Sequence, residues 1–120
     1  MLVPHLYLNG KCEEAIQQYV KAFGAEVKVV LHYPEEEHKK GVMHSEIYIH
    51  GQRVMLNDND YGSPDMVVIF DTKGELIRSY EVMKKGSIIT SPIQETFYTP
   101  CQVGFTDKFG VKWGLMVGKP

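Results

Sequence analysis

The chain has 120 residues, a formal net charge of −2, 43% hydrophobic and 23% charged residues, 11 Gly and 6 Pro. This composition excludes a disordered or fibrous chain, and the length allows a buried core without disulfide or metal staples. The densest basic spot, His38-Lys39-Lys40, adjoins Glu35-Glu36-Glu37, so no basic face tracks nucleic-acid phosphates, and no apolar run approaches the roughly 20 residues that span a bilayer.

Val3 to Asn9 alternates, with Leu6 and Leu8 on one face and His5, Tyr7 and Asn9 on the other, which predicts a half-buried strand. Asn9 and Gly10 stop it and are expected to cap a helix. From Lys11 the period becomes helical. Cys12, Ala15, Ile16, Tyr19, Val20 and Phe23 share a face, and Gly24 is a natural stop. Glu26 to Tyr33 reads as a second strand and the polar stretch Pro34 to Gly41 as a loop. Val42 to Ile49 reads as a third strand, with Met43, Ser45, Ile47 and Ile49 opposite His44, Glu46 and Tyr48. His50-Gly51 is a tight-turn pair leading to a fourth strand, Gln52 to Asn57. Asp58 to Pro64 is the strongest break in the chain and reads as a linker.

The second half repeats the order. Met66 to Asp71 is a strand, Thr72 and Glu75 fit a capping box, and Leu76, Ile77, Tyr80 and Met83 form the inward face of a helix ending at Lys84-Lys85-Gly86. Ser87 to Thr90 is a strand and Ser91 to Pro100 an irregular arm. Gln102 to Thr106 and Val111 to Val117 form a last hairpin across Asp107 to Gly110, which Asp107 and Gly110 shape. Laying Gly24 on Gly86 brings His5 onto Val67, so strand, helix and terminal glycine recur in phase. The expected fold class is α+β: one domain over 1–120, built from two βαβββ modules (1–62 and 63–120) with mainly antiparallel sheets.

The apolar sheet face belongs under the helices. The other face carries His5, Tyr7, His44, Glu46, Tyr48, Met55 and Asn57, a polar and aromatic set suited to a small-molecule ligand. Gln94 and Phe97, on the arm, complete the expected ligand-binding set, since binding residues concentrate on such segments. Each has a plainer reading. His5 is a general base or a hydrogen-bonding cavity residue. Glu46 is a base raised by burial or a solvated carboxylate. Tyr7, Tyr48, Phe97 and Tyr98 stack on a flat ligand or simply pack, and Gln94 and Glu95 bind or satisfy their own backbone. Cys101 has no histidine near it in sequence to activate it. Cys12 and Trp113, the latter sharing a face with Val111 and Leu115, read as core. The opening Met1 to His5 lacks the basic region and apolar core of a signal peptide, so a cytoplasmic protein with two reduced thiols is expected.

Three stretches carry a resemblance: PHLYLNGKCEEAIQQYVKAFGAEV at the start, HSEIYIHGQRVMLND in the middle and SPIQETFYTPCQVGFTDKFGVKWGL near the end. The chain resembles PhnB-like proteins of the vicinal oxygen chelate superfamily, which holds glyoxalases, extradiol dioxygenases, and bleomycin- and fosfomycin-resistance proteins. The resemblance implies sheets curled into half-barrels with helices outside, a homodimer, and, in metal-dependent members, ligands from the first and last strands of each module. Mapped by strand position, those places fall near His5, Met55, Val67 and Gly114. Only His5 suits a hard divalent metal, and a slip of one residue, to Leu56, Val68 and Trp113 or Leu115, is no better. The favoured expectation is therefore a small-molecule binding protein with no cofactor and no metal. The alternatives are a glyoxalase-like lyase or isomerase, or another enzyme, using a metal rearranged onto His5, His44 and Glu46; an unassigned metal-independent catalyst; and a structural dimer with a vestigial cavity. A demethylubiquinone methyltransferase label attached to some PhnB-like proteins has no support here, because no Gly-rich loop follows a strand and opens a helix.

Overall fold

The structure is a computed structural model that describes residues 1–35 and 39–118. Ten elements follow in order: β1 (Leu2–Tyr7), α1 (Cys12–Phe23), β2 (Glu26–His32), β3 (Val42–Ile49), β4 (Gln52–Asn57), β5 (Asp65–Phe70), α2 (Lys73–Met83), β6 (Ile88–Gln94), β7 (Gln102–Thr106) and β8 (Lys112–Val117). The chain divides into two compact units, Pro4–Pro64 and the chain from Asp65 onward together with Met1–Val3. Each unit has the βαβββ order and belongs to the α+β class.

In the Pro4–Pro64 unit the strands lie in the order β2-β3-β4-β1. β2–β3 and β3–β4 are antiparallel and β1–β4 is parallel. A two-residue turn joins β3 to β4. His50 (φ 48°) and Gly51 (φ 84°) both take the left-handed conformation that such a turn demands, and Ile49 pairs with Gln52. α1 packs across β2 and β3. Cys12 and Ile16 on the helix meet Val42, Ile47, Val54 and Leu56 on the sheet, with Leu6, Leu8 and Tyr19 half-buried around them. Period-two alternation places Leu6 and Leu8 under the helix, as expected.

The start of α1 differs from expectation. Asn9 and Gly10 do not cap it; Lys11 is the cap residue and makes no side-chain cap bond. Asn9 (φ 46°) and Gly10 (φ 92°) form a left-handed turn. The Asp58 Oδ1 then accepts from the backbone N–H of Gly10 (2.7 Å) and of Cys12 (2.9 Å). Its Oδ2 accepts from the Val42 N–H at 2.8 Å. A residue read as the start of a linker is thus the anionic cap of the helix. Val20 and Phe23, expected inward, are 40% and 49% exposed, and the Phe23 ring stacks beside Tyr19 with centroids 6.1 Å apart. Met43 is exposed and Val42 buried, a swap caused by the register shift opposite Leu31 and His32. The loop expected over 34–41 closes with a bond from the Tyr33 N–H to the Gly41 carbonyl (3.0 Å); residues 36–38 of it lie outside the described residues.

In the second unit the order is β5-β8-β7-β6. β5–β8 is parallel, and β8–β7 and β7–β6 are antiparallel. α2 packs across β8 and β5, with Leu76 buried among Val103, Phe105 and Leu115 and with Ile77, Tyr80, Met83 and Trp113 alongside. The Thr72 Oγ1 accepts the Glu75 N–H at 3.2 Å and donates to the Glu75 carboxylate at 2.9 Å. The cap is therefore real, although its return bond runs to the hydroxyl rather than to the backbone. Val111, expected to share the buried face of Trp113, is 40% exposed and precedes the strand. Ser91 to Gln94, expected in an irregular arm, continue β6. They pair with Gly104 and Gln102 through register shifts. Pro92 is tolerated because β6 is the outer strand of this sheet order, where a missing N–H removes no ladder bond.

Candidate functional site

The helix-free face of the Pro4–Pro64 sheet collects seven expected residues and one unexpected one. Register sets the rows: Glu46 is opposite Met55 and Met55 opposite His5, so one row crosses three strands. Tyr48 pairs with Arg53 and Tyr7 with Asn57 in the flanking rows. Arg53 was absent from the sequence-derived set, although the period that puts Met55 and Asn57 on this face puts Arg53 there too.

Glu46 is the electrostatic centre of the face. Its Oε1 accepts from Arg53 Nε at 2.7 Å and its Oε2 is bonded to His44 Nε2 at 2.9 Å. Burial alone would raise the carboxyl. The hydrogen bonds from Arg53 and His44, with the nearby guanidinium charge, outweigh it and hold the group below the usual glutamate range. Glu46 is therefore neither a base raised by burial nor a freely solvated carboxylate; it is an ion-paired anion.

His5, Tyr7 and Asn57 form a second cluster. Asn57 Nδ2 lies 3.2 Å from His5 Nε2. The His5 and Tyr7 rings are tilted, with centroids 4.7 Å apart, and Tyr61 meets Tyr7 edge-on at 5.0 Å. Met55 and Asn57 are both more than nine-tenths buried. Lys28 Nζ lies 5.7 Å from the Tyr48 ring centroid, a cation–π contact at the margin of the set.

Gln94 and Phe97 belong to the other unit. The Gln94 amide donates to Ser91 Oγ at 3.1 Å, satisfying its own strand. Phe97 is fully exposed, with the Tyr98 ring edge-on at 4.9 Å. Tyr98 in turn donates its hydroxyl to Gln102 at 2.7 Å. Thr96 Oγ1 accepts from the Tyr98 and Thr99 N–H groups, so the neighbouring Thr96, rather than Gln94, holds this turn.

The four strand positions expected of a metal site pair as mapped: His5 with Met55, and Val67 with Gly114. They offer one imidazole, one thioether, an isopropyl group and no side chain at all, a donor set that does not suit a hard divalent ion. The rearranged set does not assemble either. His44 and Glu46 bond to each other, His5 bonds to Asn57, and among the described residues no three His, Cys, Asp or Glu side chains converge. Cys12 and Cys101 are free and buried. Cys12 Sγ lies 3.6 Å from Ser45 Oγ, and burial pushes its thiol up, away from the reactive thiolate. Among the described residues no helix is long and apolar enough to cross a membrane.

Comparison with known proteins matches residues 3–115 to the Glyoxalase/Bleomycin resistance protein/Dioxygenase superfamily model. All three stretches that carried the resemblance lie inside that span. Protein YjdN of Escherichia coli (strain K12) is 26% identical over 140 aligned residues, covering 98% of this chain and 95% of YjdN. A crystal structure of a Staphylococcus aureus protein superposes with a TM-score of 0.85 at 24% identity, over 98% of this chain and 96% of that one. A superfamily member from Vibrio splendidus 12B01 gives a TM-score of 0.62 at 18% identity, over 98% and 97%. These two likenesses concern the fold.

Proposed function

Because the chain belongs to the glyoxalase/bleomycin resistance protein/dioxygenase superfamily, we propose that it binds a small molecule on the helix-free face of the Pro4–Pro64 sheet. Its own side chains, rather than a metal, make the contacts. The observation that carries this reading is the pairing of two facts. The face opposite α1 is lined by His5, Tyr7, Tyr48, Met55 and Asn57 beside an already paired Glu46 and Arg53, and of the four strand positions that would ligate a metal only His5 offers a suitable donor. Aromatic surface with a few fixed polar groups is what a small organic ligand needs. The lyase or isomerase alternative requires a converging donor set, and that set is absent among the described residues.

The reading includes action in the cytoplasm, which fits two buried, unpaired cysteines, and pairing of two copies, as the family resemblance implies. Light scattering that returns the single-chain mass at all concentrations would end the pairing proposal. For binding, the full chain is screened by thermal shift against a small-molecule library in buffer containing EDTA. A saturable rise in Tm is expected, since a ligand of the native state stabilises by mass action. No hit in that screen, together with tight stoichiometric uptake of nickel or zinc, would reverse the reading.

A further inference from the structure

Among the described residues, one buried side-chain polar atom has no hydrogen-bond partner: Asn57 Oδ1. The residue is 8% exposed. Its amide nitrogen lies 3.2 Å from His5 Nε2; with His5 protonated on Nδ1 that nitrogen accepts from the amide, and the carbonyl oxygen is the open end. An amide oxygen buried without a donor costs about 1–3 kcal/mol, so such an atom on a candidate ligand face calls for a reason. Its surroundings restrict what the missing donor belongs to. Tyr7, the strand partner of Asn57, lies between the His5 and Tyr61 rings. The carboxylate of the same face has each oxygen engaged, one by Arg53 and one by His44, so a charged ligand meets an ion pair already neutralised and loses its hydration for little return.

We propose that the ligand of this face is uncharged and flat, and donates an N–H or O–H to Asn57 Oδ1; this rests on the small-molecule reading above. Asn57 is then the residue that sets specificity. A site with a buried acceptor rejects an analogue lacking the donor far more strongly than an apolar pocket rejects a missing methyl group. Oδ1 is covered as the face stands, so the donor reaches it through a local opening of the face.

The test uses three probes on the full chain, each followed by saturation-transfer NMR and thermal shift: benzamide, N,N-dimethylbenzamide and benzoate. Benzamide is expected to bind saturably, and the other two at least about tenfold more weakly, the factor that corresponds to about 1.4 kcal/mol. Asn57→Leu should erase the difference between the two amides, and Asn57→Asp, which keeps an acceptor oxygen, should preserve it. Should either variant fail to fold, the wild-type comparison alone decides. Equal binding of both amides by the wild type, or discrimination that survives Asn57→Leu, overturns the role of Asn57 and leaves the small-molecule reading standing. Binding by none of the three probes overturns the ligand class, while the broad screen separately decides whether the face binds anything.

Discussion

Asp58 satisfies three backbone N–H groups from two separate segments with one carboxylate. Hydrogen bonds to a charged acceptor are the strong ones, so Asp58→Ala should lower unfolding free energy by about 1–3 kcal/mol in a urea melt, and Asp58→Asn, which keeps one acceptor, by less. Gly41 is tied to the same group. It sits at φ +94°, and a Cβ there would stand 2.4 Å from Asp58 Oδ2, so Gly41→Ala should reproduce much of the Asp58→Ala loss. Asp107 plays a similar part in the last hairpin. Its Oδ1 accepts from the Phe109 and Val111 N–H groups and its Oδ2 from Trp113 Nε1. The Val111 backbone bond foremost, with those of Trp113 and Phe109, holds its carboxyl below the usual aspartate range. Glu46 is lowered as well, its burial outweighed by Arg53 and His44. Both groups bind protons less readily folded than unfolded. The stability they contribute is therefore complete above the ordinary carboxylate range, near pH ~4, and is lost as pH falls through their lowered folded values. Tm measured from pH 7 down to pH 2 should fall less steeply for Asp107→Asn than for the wild type, the two curves converging in acid.

The elements were legible where period and turn chemistry agree. β3, β4 and β7 have their expected bounds, because a His50-Gly51 turn joins the first two and Pro100 lies just before the last. The cap of α2 was equally readable, since Thr72 and Glu75 are local to it. Thr72→Ala should cost about 0.5–2 kcal/mol by denaturant melt. What sequence could not reveal depends on partners distant along the chain. The cap of α1 comes from Asp58, far along the sequence, and no local pattern marks it. The continuation of β6 through Pro92 was hidden because proline reads as a breaker until the strand is known to lie at a sheet edge. Within the candidate site, alternation placed His5, Tyr7, His44, Glu46 and Tyr48 on one face. It did not tell that Glu46 spends its charge on Arg53, because the hairpin register, not the composition, brings those two strands into contact. Arg53→Met should therefore destabilise, since it leaves a half-buried carboxylate with His44 alone. The double variant with Glu46→Gln should recover part of the loss.

At the scale of the molecule, function and stability are both expected to be indifferent to metal. EDTA dialysis should leave Tm unchanged within error, whereas a chain held together by a bound ion would melt earlier. The two units also differ in one useful respect from a chain with surface thiols: each buries a single cysteine, Cys12 in one core and Cys101 in the other. Neither sulfur meets an alkylating reagent until its own core opens. Pulse alkylation followed by peptide mass spectrometry would thus time the exposure of each half independently. Matching rates would mean that both halves come apart in one event, and divergent rates would name the half that yields first.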